Sequence, residues 1–253
     1  VNVSFVGKYV DLKDAYFSLT EALDHAGINN DTKVNINFVN SDELNNKNYS
    51  SKLKKSDAIL VPGGFGGRGI EGMILAAKYA REKKVPYFGI CLGLQIAIIE
   101  IARNLCGLKD ANSTEFKPRT KHKVTSLITE WKNEDGSIEK RDKNSDKGGT
   151  MRLGAQKAKL KKNSLAHKLY KKTNIFERHR HRYEVNPEYV SELEEKGLLI
   201  SARSEIHNLV EIIGMKDHPW YLGCQFHPEF TSKPKTGHPL FNDFIKTAVK
   251  LKR

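Results

Sequence analysis

Cysteine is scarce in this chain. The three present in 253 residues, Cys91, Cys106 and Cys224, cannot build a disulfide framework, and none stands in a C-x-x-C pair or at another zinc-ligand spacing. A reducing, cytoplasmic setting suits such a chain. Long apolar runs are missing too, since nothing approaches the ~20 residues that a membrane-spanning helix needs. The opening VNVSFVG reads as a strand and lacks the charged n-region and apolar core of a signal peptide. With Val1 in first place, it is expected to begin a domain cut from a longer polypeptide. There is no internal repeat. There is also no G-x-x-x-x-G-K-[ST], because Gly7-Lys8 is followed by Tyr9, which argues against a phosphate-binding P-loop.

The chain has an excess of positive charge, +13 at neutral pH with 38% hydrophobic residues. Such a balance suggests an anionic partner. The lysines, however, come in short scattered clusters (Lys52, Lys54 and Lys55; Lys161 and Lys162; Lys171 and Lys172) among Asn and Ser, with no interleaved stacking aromatics. They read as solvated surface, and neither a nucleic-acid nor a membrane partner is expected. A patch facing an acidic partner domain or a nucleotide phosphate stays open.

Short apolar runs alternate with amphipathic stretches: VNVSFVG, a helical Ala15 to Ala26, KVNINFV, DAILVPGG, the helical GMILAAKYAREKK, VPYFGI and the helical LQIAIIEIARNL. That alternation predicts one α/β domain over 1–253, with a central, mostly parallel sheet flanked by helices and a site at the carboxyl ends of its strands. From about 120 to 154 the pattern changes. HKVTSLITEW and the turn-rich stretch after it predict a small antiparallel insertion. Strand-like LLISARS, NLVEIIGM and WYLGCQF follow, then a closing helix from about Pro239 to Leu251.

The strand VPYFGI runs into Gly89-Ile90-Cys91-Leu92-Gly93 and then a long apolar helix. This is a nucleophile elbow with cysteine in the nucleophile position. Its glycines allow a tight turn that pushes the thiol beyond the sheet. The helix N-terminus favours thiolate, and the Leu92 N–H points where an oxyanion would form. The same cysteine, read alone, would pass for a core residue. Near the other end stands Gln225-Phe226-His227-Pro228-Glu229. If residues 227 to 229 are extended, the His and Glu side chains share one side, and the carboxylate can hold the imidazole that a cysteine nucleophile needs as its base. The loop Val61-Pro62-Gly63-Gly64-Phe65-Gly66-Gly67-Arg68-Gly69 is glycine-rich enough to bring a second N–H to the same oxyanion.

GICLGLQ, the PGGFG loop and QFHPEF together resemble the class I, triad-type glutamine amidotransferases. The segments VGKYVDLKDAY, GGFGGRGIEGMI, ANSTEF, LITEW, GGTMRLGAQ, ERHRHRYEVN and HPEFTSKPKTGHPLF are similar, within that family, to the glutaminase domains of CTP synthases. The resemblance implies a flavodoxin-like fold and a reaction in which Cys91 attacks the glutamine amide, His227 and Glu229 shuttle the proton, and Gly64 and Leu92 supply oxyanion-hole N–H groups. It implies a glutamine pocket lined by Gly64, Leu92, Gly93, Leu94 and Gln95, with Glu115 reading the α-amino group and Arg182 the carboxylate end. Arg68, Gly69 and Glu71 would belong to a lid that answers to GTP. Gly67 stands where the family often carries an aromatic residue. Ammonia would pass to a synthase domain of the same polypeptide, absent here, where ATP and magnesium would bind and through which a homo-oligomer would form. No cofactor is expected in this domain. His179 and His181, two residues apart on a strand, carry a weak suggestion of a metal site that is set aside.

Overall fold

The computed structural model describes residues 1–10, 13–127, 130–132, 138–140 and 151–252. In chain order the elements are β1 (Asn2–Gly7), α1 (Phe17–Asn29), β2 (Asn35–Asn40), α2 (Tyr49–Leu53), β3 (Ala58–Val61), α3 (Ile70–Lys83), β4 (Tyr87–Ile90) and α4 (Leu92–Asn104). They continue with β5 (Asn112–Ser113), β6 (Lys123–Leu127), β7 (Glu130–Lys132), β8 (Ile138–Lys140), β9 (Arg152–Leu160), α5 (Leu165–Tyr170), β10 (Asn174–His181) and β11 (Tyr183–Val185). The last are α6 (Val190–Glu195), β12 (Leu198–Ser204), β13 (Val210–Met215), β14 (Tyr221–Cys224) and α7 (Pro239–Leu251).

Among the described residues, nine strands form one sheet in the order β10-β9-β12-β13-β14-β4-β3-β1-β2. From β14 to β2 every neighbour pair is parallel, and the spatial order β2-β1-β3-β4-β14 is that of a flavodoxin-like sheet. The strands from β10 to β14 extend it in antiparallel pairing. The parallel half is α/β because each of its first strands is followed by a helix that crosses back over the sheet. The later strands are joined by shorter connections and reverse direction.

Strand alternation sorts the core onto two faces. Ile59, Val61 and Tyr87 join Met73, Ile74, Leu94 and Ile98 under α3 and α4. Leu60, Phe88, Ile90 and Leu222 join Leu23, Phe241, Phe244 and Ile245 under α1 and α7. Helices α3 and α4 are also tied by Arg81, whose Nε and Nη2 donate to the fully buried Glu100 at 2.7–3.1 Å.

Of the insertion expected near 120–154, residues 128, 129, 133–137 and 141–150 lie outside the described residues. The described remainder makes its own pairings and also reaches the main sheet. Strand β6 pairs with β11 antiparallel and with β5 parallel in a three-stranded sheet, while β7 and β8 pair with each other. Strand β9, at its end, joins the main sheet. Among the described residues no helix is long and apolar enough to cross a membrane.

Candidate functional site

Four strands end at one place. The chain leaves β1 at Lys8, β3 at Pro62-Gly63-Gly64, β4 at Cys91 and β14 at Gln225-Phe226-His227. The first three run parallel with the fourth, so their carboxyl ends open on one rim of the sheet.

Cys91 has φ +53° and ψ −100°, a conformation disfavoured for any side chain with a Cβ and of the kind that costs about 1–3 kcal/mol. Its N–H donates to the Cys224 carbonyl at 2.7 Å, which holds the turn against the neighbouring strand. The flanking glycines are required by closeness. A Cβ on Gly93 would lie 2.1 Å from the Val61 carbonyl oxygen, and one on Gly89 would lie 2.5 Å from the Gly93 carbonyl. Strand β4 and helix α4 thus meet backbone to backbone, and the Tyr87 hydroxyl donates to the Gly93 oxygen at 2.8 Å. As the first residue of α4, Leu92 has no carbonyl four residues back for its N–H to bond within the helix.

His227 Nδ1 lies 2.7 Å from Glu229 Oε1. The expected extended run is not the cause. His227 is followed by a 3-10 turn over Pro228–Thr231, begun by a proline whose fixed φ suits it, and this turn brings the carboxylate back to the ring. The His227 N–H donates to the Arg178 carbonyl at 2.8 Å, and the ring stacks on Phe230 with centroids 5.3 Å apart. Burial works to lower the pKa of the imidazole. The Cys91 sulfur, by charge and hydrogen bond, and then Glu229 overcome it and raise it to about 10. The ring thus stands between the sulfur and the Glu229 carboxylate.

The glycine loop passes close by. A Cβ on Gly63 would come 2.8 Å from His227 Cε1 and 3.5 Å from Cys91 Cβ, and one on Gly64 would be 3.3 Å from Leu92 Cδ2. Gly64 and Leu92 are thus neighbours beside the thiol. A cleft of about 360 Å³ opens over them, lined among others by Tyr9, Phe17, Phe65, Cys91, Arg180, His227 and Phe230.

Glu115 is already engaged, because the Gly66 N–H donates to its Oε1 at 2.7 Å. Burial raises the Glu115 carboxyl, opposed by that hydrogen bond and by the charges of Lys8 and Arg182, so Arg182 shares its neighbourhood. Arg68 donates to Asp42 Oδ2 and to the Lys8 carbonyl, both at 2.9 Å, and lies over the Tyr9 ring. Gly69, at φ +70°, is pressed against Ser41. Glu71 falls in the first turn of α3 and pairs with Arg103 of α4 at 2.8 Å, so the structure ties it to that helix. His179 and His181 turn inward and bury against Glu211 and Glu184, at 3.6 and 2.7 Å.

The family model for class-I glutamine amidotransferases matches residues 11–247. This chain belongs to that family. Among solved structures, the glutaminase domain of CTPS from Trypanosoma brucei, with bound acivicin, is 38% identical, with 99% of this chain and 94% of that one covered and a TM-score of 0.86. A glutamine amido transferase from Methylobacillus flagellatus (12% identity, 90% of this chain and 70% of that one, TM-score 0.53) shares the fold. So does a glutamine amidotransferase from Thermotoga maritima (9%, 100% and 99%, TM-score 0.51).

Three polar contacts near the candidate site residues were not read from the sequence. Lys8, only 3% exposed, donates from Nζ to the carbonyl oxygens of Phe65 and Gly66. It grips the glycine loop by its carbonyls while Glu115 accepts from the Gly66 N–H. Burial pulls its ammonium down to about 8, with Glu115 opposing and Arg68 adding to the fall. Its only signal was a lysine straight after the first strand. Arg152, in the segment GGTMRLGAQ, opens β9 opposite His181 of β10 and bridges Glu184 and Glu211 at 3.0 and 2.6 Å. Gln225, inside QFHPEF, sends its side chain to Cys91. Nothing in its spacing announced that contact.

Proposed function

We propose that this amidotransferase domain hydrolyses L-glutamine to glutamate through a Cys91 thioester and supplies ammonia for ATP-dependent amination of UTP to CTP on a synthase domain. The observation that carries the reading is a cysteine at positive φ on a strand-to-helix turn, facing an imidazole whose other nitrogen is held by Glu229.

The chemistry follows from that arrangement. Cys91 Sγ adds to the amide carbon, and the carbonyl oxygen takes the negative charge beside the Gly64 and Leu92 N–H groups. His227 gives its proton to the departing nitrogen, which leaves as ammonia, and the thioester remains. Neutral His227 then takes a proton from water as the oxygen attacks the thioester carbon, the C–S bond breaks, and glutamate departs, leaving the Cys91 thiolate beside the protonated His227. Glu229 keeps the ring oriented throughout. The substrate is a zwitterion, so Glu115 would take its ammonium and Arg182 its carboxylate, whereas the Leu94 side chain packs in the core and that of Gln95 is engaged with Tyr183 and Gln225, so neither side chain is offered to the substrate.

Phe17, Phe65 and Phe230 remain exposed around the cleft, an apolar rim of the kind that a partner domain covers. ATP and magnesium would act on that synthase domain, through which the oligomer would form. GTP would act on the segment holding Arg68, Gly69 and Glu71. A free nucleophilic thiol suits a cytoplasmic setting.

The test is glutamate release by the isolated chain, together with mass-spectrometric mapping of a glutamine-analogue electrophile. Labelling at Cys91 alone and weak turnover without a GTP response are expected, because an oxyanion loop without its partner surface is assembled only part of the time. Turnover of γ-glutamyl peptides in preference to free glutamine would refute the substrate. Turnover retained in C91A above a few per cent would refute the nucleophile.

A further inference from the structure

Behind Cys91 lies a chain of two buried carboxamides. Gln95, on α4, is 3% exposed and Gln225, after β14, is fully buried. Gln95 Nε2 donates to the Tyr183 carbonyl at 2.9 Å and lies 3.4 Å from Gln225 Oε1. Gln225 Nε2 in turn lies 3.8 Å from Cys91 Sγ.

The direction of this chain follows from its far end. A backbone carbonyl can only accept, so the Gln95 atom that meets Tyr183 must be the NH₂ group. Turning Gln95 over would set two oxygens 2.9 Å apart. The present orientation stands even though it leaves Gln95 Oε1 buried without a partner. The same NH₂ group faces Gln225, so the Gln225 atom on that side must be its oxygen. The atom left for the sulfur is then the NH₂, a donor. Gln225 itself is anchored by its backbone, whose N–H donates to the Glu211 carbonyl at 2.9 Å.

We propose that Gln225 is a further catalytic residue, donating an N–H to the Cys91 sulfur so that the thiolate is held in place and stabilised before it attacks. The proposal rests on Cys91 being the glutaminase nucleophile. A carboxamide is suited to the task, because at the pH of catalysis it neither gains nor loses a proton and cannot compete with His227 for the transferred one. Once the sulfur is acylated it no longer carries the negative charge, and the bond weakens. The contribution therefore belongs to the free enzyme and appears in the reactivity of the thiol toward any electrophile, not in the handling of glutamine alone.

The test is the pH profile of Cys91 alkylation by iodoacetamide, followed at the Cys91 peptide by mass spectrometry, with and without glutamine. The wild type is compared with Q225M, which is close in volume and has no donor. The wild-type Cys91 is expected to react and to be protected by glutamine. In Q225M the acid limb of the profile is expected to move to higher pH by about one to two units, the effect of losing a hydrogen bond to a charged group, while the rate at pH 10 stays within about twofold. If Q225M loses its native melting transition, Q225N gives the same comparison, since it keeps a polar side chain but is one methylene too short to reach the sulfur. An acid limb that does not move, measured beside a glutamine-protected wild type, overturns this inference and leaves the glutaminase reading intact. A wild-type Cys91 that glutamine does not protect overturns both.

Discussion

Adding one methyl group at Gly93 tests whether the backbone contact between β3 and α4 is what holds the elbow. The new Cβ would sit 2.1 Å from the Val61 carbonyl oxygen and 3.0 Å from its carbon. Ordinary contact needs about 3.4 Å or more, so the helix must lift from the strand by roughly 1 Å, because neither atom is on a side chain that can rotate away. Overpacking of a well-packed interior costs typically 1–3 kcal/mol, and a rigid backbone contact belongs at the upper end. Lifting α4 also strains the hydrogen bond from the Tyr87 hydroxyl to Gly93, worth about 1 kcal/mol, while the better helix propensity of alanine returns about 1 kcal/mol. The net loss for G93A is about 2–3 kcal/mol, or roughly 4–12 °C in Tm for a domain of this size. The same movement carries the Leu92 N–H away from Gly64. Glutamate release should therefore fall by about 10²–10³, the usual effect of losing one oxyanion donor. Thermal melting by circular dichroism and a glutamate assay read the two effects. G67A is the control, because its Cβ would meet Phe116 at an unremarkable 3.7 Å. A G93A protein that melts within about 2 °C of the wild type would refute the argument.

H227A should lose activity by about 10⁵ or more, and E229Q by roughly tenfold to a hundredfold less, since the carboxylate orients the ring and the ring moves the proton; kcat measured at saturating glutamine decides, and a greater loss in E229Q would reverse the roles. R182A should raise the KM for glutamine at least about tenfold with kcat changed less than about threefold, because the carboxylate end lies away from the bond being broken; steady-state kinetics showing a defect in kcat alone would contradict this. Burial, opposed by Arg152 and reinforced by Glu184, raises the Glu211 carboxyl to about 8. Between its unfolded value near 4.5 and about pH 8 the unfolded chain has released a proton that the native protein keeps, so this group makes stability fall as pH rises through that window. E211Q has no such proton, and urea unfolding should show it gaining stability on the wild type from pH 5 to pH 8; an equal difference at both values would remove Glu211 as the cause.

Which residues of the candidate site would stand close together was legible where it is written in short spacings. Gly89 and Gly93 around Cys91 are demanded by the backbone contacts that the elbow makes, and a residue that only glycine can satisfy leaves a mark in any reading. His227 and Glu229 are two residues apart, so almost any local geometry lets them meet, and a 3-10 turn did so where an extended strand was expected. The parallel half of the sheet was readable from strand–helix alternation for the same reason, since each crossover is local. What only the tertiary structure decided are the contacts made across the sheet between distant parts of the chain. Lys8 and Glu115 both hold the glycine loop, Arg152 joins Glu184 to Glu211, and Gln225 reaches from Gln95 to Cys91. In each case the partners are more than 20 residues apart, and lysine, arginine, glutamate and glutamine look alike in sequence whether they face water or a buried acceptor. Burial settles the difference: removed from water, a polar group must find its partner inside the protein, and which partner lies within reach depends on how the strands are ordered.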